Sequence, residues 1–291
     1  MSYNLTNLST YTDELSFELI SKAVLQTNVM DYATIRSGLK FGTTTINLLD
    51  ADISVADRAC GWSAAGDMVY SQVEIDMQEK QSKQALCPTD LRDYYLAERL
   101  SASAHAEEVP FEEVVSNLFV EKIRNWNEGY LGGKILTDIT VANGAVDSGQ
   151  TVASTASTII ADVMDLIDSV DASVLDRDDL GVIMSPAYFN MLRRALTAQN
   201  LFHFNAPEVN SNTELTMPGT DFKVIKSSGF SGDGFVAGPL KDLVIGVGLE
   251  DDFDTLKIFY SADNDEVRVM AAWRIGLGVV DVTKWAKNGT L

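Results

Sequence analysis

The chain has 291 residues, and 22 Lys and Arg against 42 Asp and Glu give it a formal net charge of -20 at pH 7. Proteins that recognise nucleic acid or anionic membranes carry a basic footprint, so the composition excludes both classes. Hydrophobic residues make up 46% of the chain, as in globular proteins, which rules out a disordered acidic tail. The length predicts one elaborate domain or two linked subdomains.

The N-terminal region predicts a helix and no targeting segment. No basic start is followed by an apolar run in the first thirty residues, and 18 apolar residues never occur together, so we predict neither a signal peptide nor a membrane span. A helix is predicted from Thr12, as N-cap, to about Gln26. Cys60 and Cys87 have no CxxC motif or Cys/His cluster beside them, which favours a reducing compartment.

Two alternating segments predict a long β-hairpin. The first is FGTTTINLLDADISV and the second is MVYSQVEIDMQEKQ, and the glycine-containing stretch CGWSAAGD lies between them. In the second segment Val69, Ser71, Val73, Ile75 and Met77 share one side, and polar residues share the other. Because so few of these residues are apolar, we expect the hairpin to project from the body of the protein.

Four helices are predicted after the hairpin, and the first is PTDLRDYYLAERLSA at 88–102. The strongest pattern begins at Pro110, at the favoured first helical position, and we expect Gly129 or the pair Gly132-Gly133 to end it. The helix in ASTIIADVMDLIDSV has one apolar face and leaves three aspartates, at positions 162, 165 and 168, on the solvated face. The buried strand GVIMS leads to Ser185-Pro186, an N-cap and first-turn proline that open the helix AYFNMLRRALTAQ.

The C-terminal third predicts strands and turns. DFKVIK alternates as a strand between Pro218-Gly219 and the glycine-rich turn SSGFSGDGF. TLKIFYS and EVRVMAAWR are predicted as a hairpin joined by ADND, and IGLGVVDVTKW as a further strand.

The motifs of catalysis and metal binding are missing or incomplete. There is no phosphate-binding GxxxxGK[ST] motif, and Gly229, Gly232 and Gly234 do not have GxGxxG order. His203 lies among aromatic and apolar residues, typical of a packed imidazole, and His105 is predicted to be solvated. The acidic run at 176–181 lacks the glutamate that completes a calcium loop. We therefore predict no catalytic residue, no metal ligand and no cofactor, which favours a structural or assembling protein over an enzyme.

The order of these features resembles the major capsid protein of tailed bacteriophages. A helical arm, a long hairpin, a long helix, a mixed α/β region and returning strands are arranged as in the Hong Kong 97-type capsid fold, which encapsulin nanocompartments share. Particular strings resemble the family too: VIMSPAYFNMLRRAL and LTMPGTDFKVIKSSGF resemble its axial domain, and DLVIGVGLEDDFDTLKIFYSADNDEVRVMAAWRIGLGVVD resembles its closing segment.

The resemblance implies an α+β fold of five parts. These are an N-terminal arm (1–35), an extended loop (36–87), a peripheral domain with a long spine helix (88–134), an axial domain (135–250) and return strands that complete the two domains (251–291). Where a projecting hairpin leaves side chains uncovered, a neighbouring subunit must cover them. We therefore expect inter-subunit contacts at five hairpin residues: Trp62, Val69, Val73, Ile75 and Met77.

The function that the resemblance implies is assembly of an icosahedral shell around phage genomic double-stranded DNA. Hexamers and pentamers of the chain would form the shell in the bacterial host cytoplasm and then the virion, with portal, scaffold or decoration proteins as possible partners and no membrane. An acidic wall is compatible with DNA as content, because it would not trap the DNA. Two alternatives stay open: an encapsulin-type nanocompartment shell loaded with cargo, and, from another class, a cytosolic acidic hydrolase or metal-dependent enzyme that uses the Asp clusters.

Overall fold

The structure is a computed structural model, and it describes ten stretches of the chain: residues 27–39, 42–51, 68–86, 111–150, 152–199, 214–230, 234–248, 255–261, 263–264 and 266–288. The helices predicted at 12–26 and 88–102, both cysteines and both histidines lie outside the described residues.

The described residues form three α-helices and two sheets, in agreement with the predicted α+β class. The helices are α1 (Phe111–Asp138), α2 (Ile159–Asp168) and α3 (Pro186–Ala198). The strands are β1 (Thr34–Ser37), β2 (Gly42–Ala51), β3 (Met68–Leu86), β4 (Val146–Asp147), β5 (Leu180–Met184), β6 (Glu214–Thr216), β7 (Lys223–Lys226), β8 (Phe235–Pro239), β9 (Leu243–Val247), β10 (Thr255–Ser261), β11 (Glu266–Val279) and β12 (Ala286–Lys287).

Sheet one contains the predicted hairpins. Its strands have the order β1-β9-β11-β3-β2, and β10 pairs with β11. All pairs are antiparallel except β1 with β9. The segments EVRVMAAWR and IGLGV form one continuous strand of 14 residues, β11, so the prediction of a further strand there is wrong. The alternation of EVRVMAAWR continues without a turn residue, and its first part pairs with β3 and its last part with β9.

Sheet two is shorter and more deeply buried. Its strands have the order β4-β12-β8-β5-β7-β6. Every residue of β5 and β8 is buried, because α1 covers one face of the sheet and α2 and α3 cover the other. A sheet that is covered on both faces has near-continuous apolar strands, and the strand predicted from GVIMS is confirmed as β5.

Helix α1 packs between the two sheets. Ile123, Leu131, Ile135 and Ile139 share one core with β11 residues of sheet one and with residues of sheet two. The helix has 28 residues, about 42 Å at 1.5 Å per residue, and it continues past all three glycines that were predicted to end it. That prediction is wrong because Gly132 has a packing role: a Cβ there would lie 2.7 Å from the Cα of Gly229.

A buried carboxylate joins α1 to the residues that precede β1. Glu128 is 6% exposed, and neither of its oxygens has a hydrogen bond of good geometry among the described residues. Burial raises the pKa of Glu128, and the nearby hydroxyl of Ser227 and the N–H groups of Val29 and Asn28 lower it in part. The carboxyl group thus occupies a polar site at the contact between α1 and the chain at 27–30.

The helices over sheet two follow the sequence pattern. α2 buries Ile159, Val163, Leu166 and Ile167 against the sheet. Ser185 caps α3, since its hydroxyl accepts a hydrogen bond from the Tyr188 N–H, and a proline occupies the first turn. Both helices and this cap are confirmed.

Candidate assembly surface

The hairpin formed by β2 and β3 is confirmed as predicted. Its strands pair antiparallel from Gly42 opposite Met77 to Ala51 opposite Met68. Polar residues at 72, 74 and 76 of β3 are exposed, and the residues between them are buried. Residues 52–67, which contain the predicted tip and Trp62, lie outside the described residues. For Val69 the structure gives only its backbone pairing with Asp50.

Three of the predicted contact residues lie inside their own subunit. Ile75 and Met77 are fully buried and Val73 is 8% exposed, so the expectation that these side chains reach a neighbour needs correction. They pack on three glycines of β9 and β11, which we call the glycine trench: Gly246, Gly276 and Gly278.

The glycine trench admits β3 because it has no side chains. A Cβ on Gly246 would lie 2.5 Å from Met77 Sδ, and one on Gly276 would lie 2.7 Å from the carbonyl oxygen of Asp76. Real side-chain contacts are not this short, so any other residue would displace the strand. The base of the hairpin is therefore held against the body of the subunit.

An ion pair fixes the point where β3 leaves β2 and joins β11. Arg274 of β11 donates from Nε and Nη2 to Glu79 Oε1 of β3, at 3.0 and 2.8 Å. The arginine side chain is 7% exposed and the glutamate side chain is 48% exposed. Because one partner is half in solvent, the pair orients the strand more than it stabilises the fold.

An apolar groove lies between α1 and the C-terminal half of β3. It has a volume of about 580 Å³, and its walls include Leu118 and Trp126 of α1, Lys80 and Leu86 of β3, and Trp273 of β11. Leu118 is 52% exposed and Trp126 is 44% exposed. Two large apolar side chains open to solvent in one groove are typical of a protein-binding surface.

Contacts among aromatic rings and a lysine hold the side chains at the groove in position. The rings of Trp126 and Tyr130 stack at 5.4 Å, and Trp273 meets Trp126 edge-on at 5.7 Å. The Lys80 ammonium lies 5.2 Å from the Tyr130 ring centre and 5.8 Å from that of Trp126, within cation–π range. Trp273 Nε1 donates to Asn127 Oδ1 at 2.9 Å, so the rings are positioned before any partner binds.

Sequence reasoning missed this groove, although part of its signal was present. Trp126 and Tyr130 are four residues apart and so share one face of α1. Apolar residues at this spacing predict a buried face of a helix, whereas Trp126 is 44% exposed. The register that places Lys80 opposite Trp273 joins residues nearly two hundred positions apart, and no local pattern predicts it.

Two further features are absent from the described residues. No three His, Cys, Asp or Glu side chains among them are arranged to hold a metal ion. The helices in the described part of the chain are too short or too polar to cross a bilayer.

Comparison with known proteins gives the fold. No protein-family model matches the sequence, and no curated protein matches it. Among solved structures, the virus-like particle from Pyrococcus furiosus is similar with a TM-score of 0.59 at 11% identity, over 96% of this chain and 99% of that one. Gordonia phage Cozz is similar with a TM-score of 0.59 at 10% identity, over 90% and 86%.

A third structure, the capsid of a native GTA particle, is similar with a TM-score of 0.58 at 15% identity, over 93% of this chain and 91% of that one. The likeness spans nearly the full length of each protein, so it covers both sheets and α1 together. The resemblance noted in the sequence is confirmed at the level of structure, and the chain has the Hong Kong 97-type capsid fold.

Proposed function

We propose that the protein is a major capsid protein that assembles into a closed icosahedral shell. The observation that carries this proposal is the near full-length likeness, in both directions, to chains from a virus-like particle, a phage and a GTA capsid. The proposed role is structural and not enzymatic, as the missing catalytic motifs also indicate.

The hairpin and the groove supply complementary halves of an inter-subunit contact. From Ser82, at the groove, to Met68, where the described part of β3 begins, the strand can extend about 45 Å at 3.3 Å per residue. Met68 is therefore remote from the groove of its own subunit, which supports a contact between the hairpin and the groove of a neighbour. We assign the tip, with Trp62 and Val69, to the groove of an adjacent copy.

A contact between two different surfaces is heterologous. Repeated by rotation, such contacts form closed rings, which fits hexamers and pentamers of a shell. In this scheme residues 1–35 are the arm, 36–87 the extended loop, 88–134 the peripheral domain, 135–250 the axial domain and 251–291 the return strands. The proposed spine helix is α1, which is continuous to Asp138.

We propose phage genomic DNA as the content and the virion as the location, with portal, scaffold or decoration proteins as further partners. The net charge of -20 supports a wall that encloses DNA without binding its sequence. A second candidate is a nanocompartment shell that holds a protein cargo. The nanocompartment stays a candidate because the likeness to a virus-like particle is as strong as the likeness to a phage protein.

Sedimentation and negative-stain microscopy of the purified chain test the proposal. We expect megadalton, closed particles, and a chain that stays a monomer or small oligomer at high concentration would overturn it. Particles made in a host that carries the complete gene set separate the two candidates: nuclease-resistant DNA inside supports the capsid, and a stoichiometric co-purifying protein with no DNA supports the nanocompartment.

A further inference from the structure

The groove between α1 and β3 carries positive charge in a strongly acidic chain. The net charge of the chain is -20, yet the charged residues among the described ones that line the groove are two lysines, Lys80 and Lys122. Neither ammonium group has an ion-pair partner in the part of the chain that the structure describes. The groove is therefore basic as well as apolar.

The two lysines lie on the two sides of the groove. Lys80 is on β3, and its Nζ donates to Gln78 Oε1 at 2.7 Å while it lies over the aromatic rings of α1. Lys122 is exposed on α1. It is four residues from Leu118 and four from Trp126, so it shares a helix face with both exposed apolar side chains. A partner that covers these two side chains would therefore also meet Lys122.

The tip of the hairpin has the complementary composition. Residues 52–67, which lie outside the described residues, contain one arginine and three aspartates. The charged residues are Asp52, Asp57, Arg58 and Asp67. The same segment contains three large apolar residues: Ile53, Val55 and Trp62. An acidic and apolar segment matches a basic and apolar groove in both respects.

We propose that Lys80 and Lys122 of one copy bind the aspartates of the hairpin tip, residues 52–67, of a second copy of this chain. The inference rests on the proposed shell function, and it names the charge chemistry of the contact between hairpin and groove. A second copy is the favoured occupant because Leu118 and Trp126 stay about half-exposed in the single subunit, and Met68 is remote from the groove of its own subunit.

The pairing makes assembly depend on salt in two opposite ways. At about 0.01 M salt, where the Debye length is about 30 Å, the net charges of approaching copies repel each other. At about 1 M salt, where it is about 3 Å, the exposed lysine–aspartate pairs are weakened too. We therefore expect the particle fraction in sedimentation to pass through a maximum between these two concentrations of sodium chloride.

Charge reversal and its repair test the pairing. We expect Lys80→Glu/Lys122→Glu to reduce the particle fraction about tenfold or more, because like charges would then face each other across the contact. Asp52→Lys/Asp57→Lys should do the same. A chain that carries all four substitutions should regain particles, because the pairs are then restored with opposite sign.

A matched control separates the groove from the net charge. Lys241→Glu/Lys257→Glu, at exposed positions outside the groove, changes the net charge by the same amount as the lysine variant. It should leave the particle fraction within about twofold of wild type, since isolated surface charges contribute little.

A single substitution guards against misfolding. Lys80 packs over two aromatic rings, so its reversal could disturb the groove itself. Lys122→Glu alone spares these contacts. It should lower the particle fraction, leave the melting temperature unchanged, and reduce the loss of particles at high salt, which a purely structural role of the lysine would not do.

The outcomes separate the two proposals. Wild-type chains that form no particles overturn both. Wild-type particles together with normal particles from both reversal variants overturn only the pairing. A chain with all four substitutions that stays unassembled also overturns only the pairing, because the lysines would then contact some segment other than the tip. So does a wild-type particle fraction that keeps rising at the highest salt.

Discussion

The two sheets differ in how much of their strands is buried within the subunit. In sheet two, β5 and β8 are buried along their whole length between α1 on one face and α2 and α3 on the other. In sheet one, β3 is 19 residues long, and among its residues 72–86 the buried side chains are those on the glycine trench, at 73, 75 and 77. The strands of sheet two are therefore buried within the subunit, whereas β3 has exposed or half-buried side chains along 78–86.

Removal of the hairpin tip is expected to have the largest effect on assembly while leaving both sheets folded. Deleting residues 60–67 should leave a folded, soluble subunit that forms no particles, because both sheets keep their cores while the contact with the neighbour is lost. Sedimentation measures the particles and circular dichroism measures the fold. Particles of normal size from the deleted chain would contradict the assembly role of the hairpin.

A matched pair of glycine substitutions compares the sheets directly. Gly276→Ala in the trench would place a Cβ 2.7 Å from the Asp76 carbonyl oxygen, and Gly238→Ala in sheet two would place one 2.5 Å from the ring of the fully buried Trp285. Each should lower the free energy of unfolding by about 1–3 kcal/mol through overpacking.

Assembly should distinguish these two variants. At a temperature where both are folded, Gly276→Ala should lower particle yield by displacing the hairpin, and Gly238→Ala should not. If thermal unfolding shows equal losses of stability and both variants assemble equally well, the trench does not position the hairpin.

Substitutions at two adjacent glycines in α1 should change the stability of the subunit in opposite directions. Gly132→Ala should destabilise the subunit by about 1–3 kcal/mol, because a Cβ there would meet Gly229. Gly133→Ala has no atom nearer than 4.0 Å and should stabilise the helix by up to about 1 kcal/mol. Chemical denaturation measures both, and a loss of stability in the second variant would show that α1 is strained there.

The smallest effect is a pH dependence from Glu128. Burial raises its pKa above the ordinary value of 4.5, so the folded state binds the proton more tightly than the unfolded state does. The stability gained is complete below pH 4.5 and is lost as pH rises through the folded pKa. Glu128→Gln should remove this component, seen as a flatter plot of melting temperature against pH, while Glu121→Gln, an exposed control on the same helix, should not.

The sequence predicted elements whose pattern is local. The hairpin, α2, and the Ser185 cap of α3 depend on alternation, helical spacing and capping chemistry, and all three are confirmed. The predicted C-terminal end of α1 was wrong. A glycine that ends a helix and a glycine that allows another segment to pack closely on the helix look the same in the sequence.

Burial of the hairpin base could not be predicted for a similar reason. Ile75 and Met77 are buried by glycines about 170 to 200 positions further along the chain, and only the tertiary fold brings them together. The groove needed the register between β3 and β11 in addition. Local spacing therefore predicted the elements, and the surfaces that we assign to assembly depend on contacts between distant segments.

The half-exposed indole of Trp126 gives the protein an optical signal of its own. Trp285 is fully buried and Trp273 is 5% exposed, whereas Trp126 is 44% exposed at the groove. Indole fluorescence shifts to shorter wavelength when water is removed from the ring. A neighbour whose tip enters the groove would therefore shift the emission of Trp126 and of its own Trp62, and leave that of the buried Trp273 and Trp285 unchanged. Subunit association could then be followed in real time, without a label, by the colour of the emitted light.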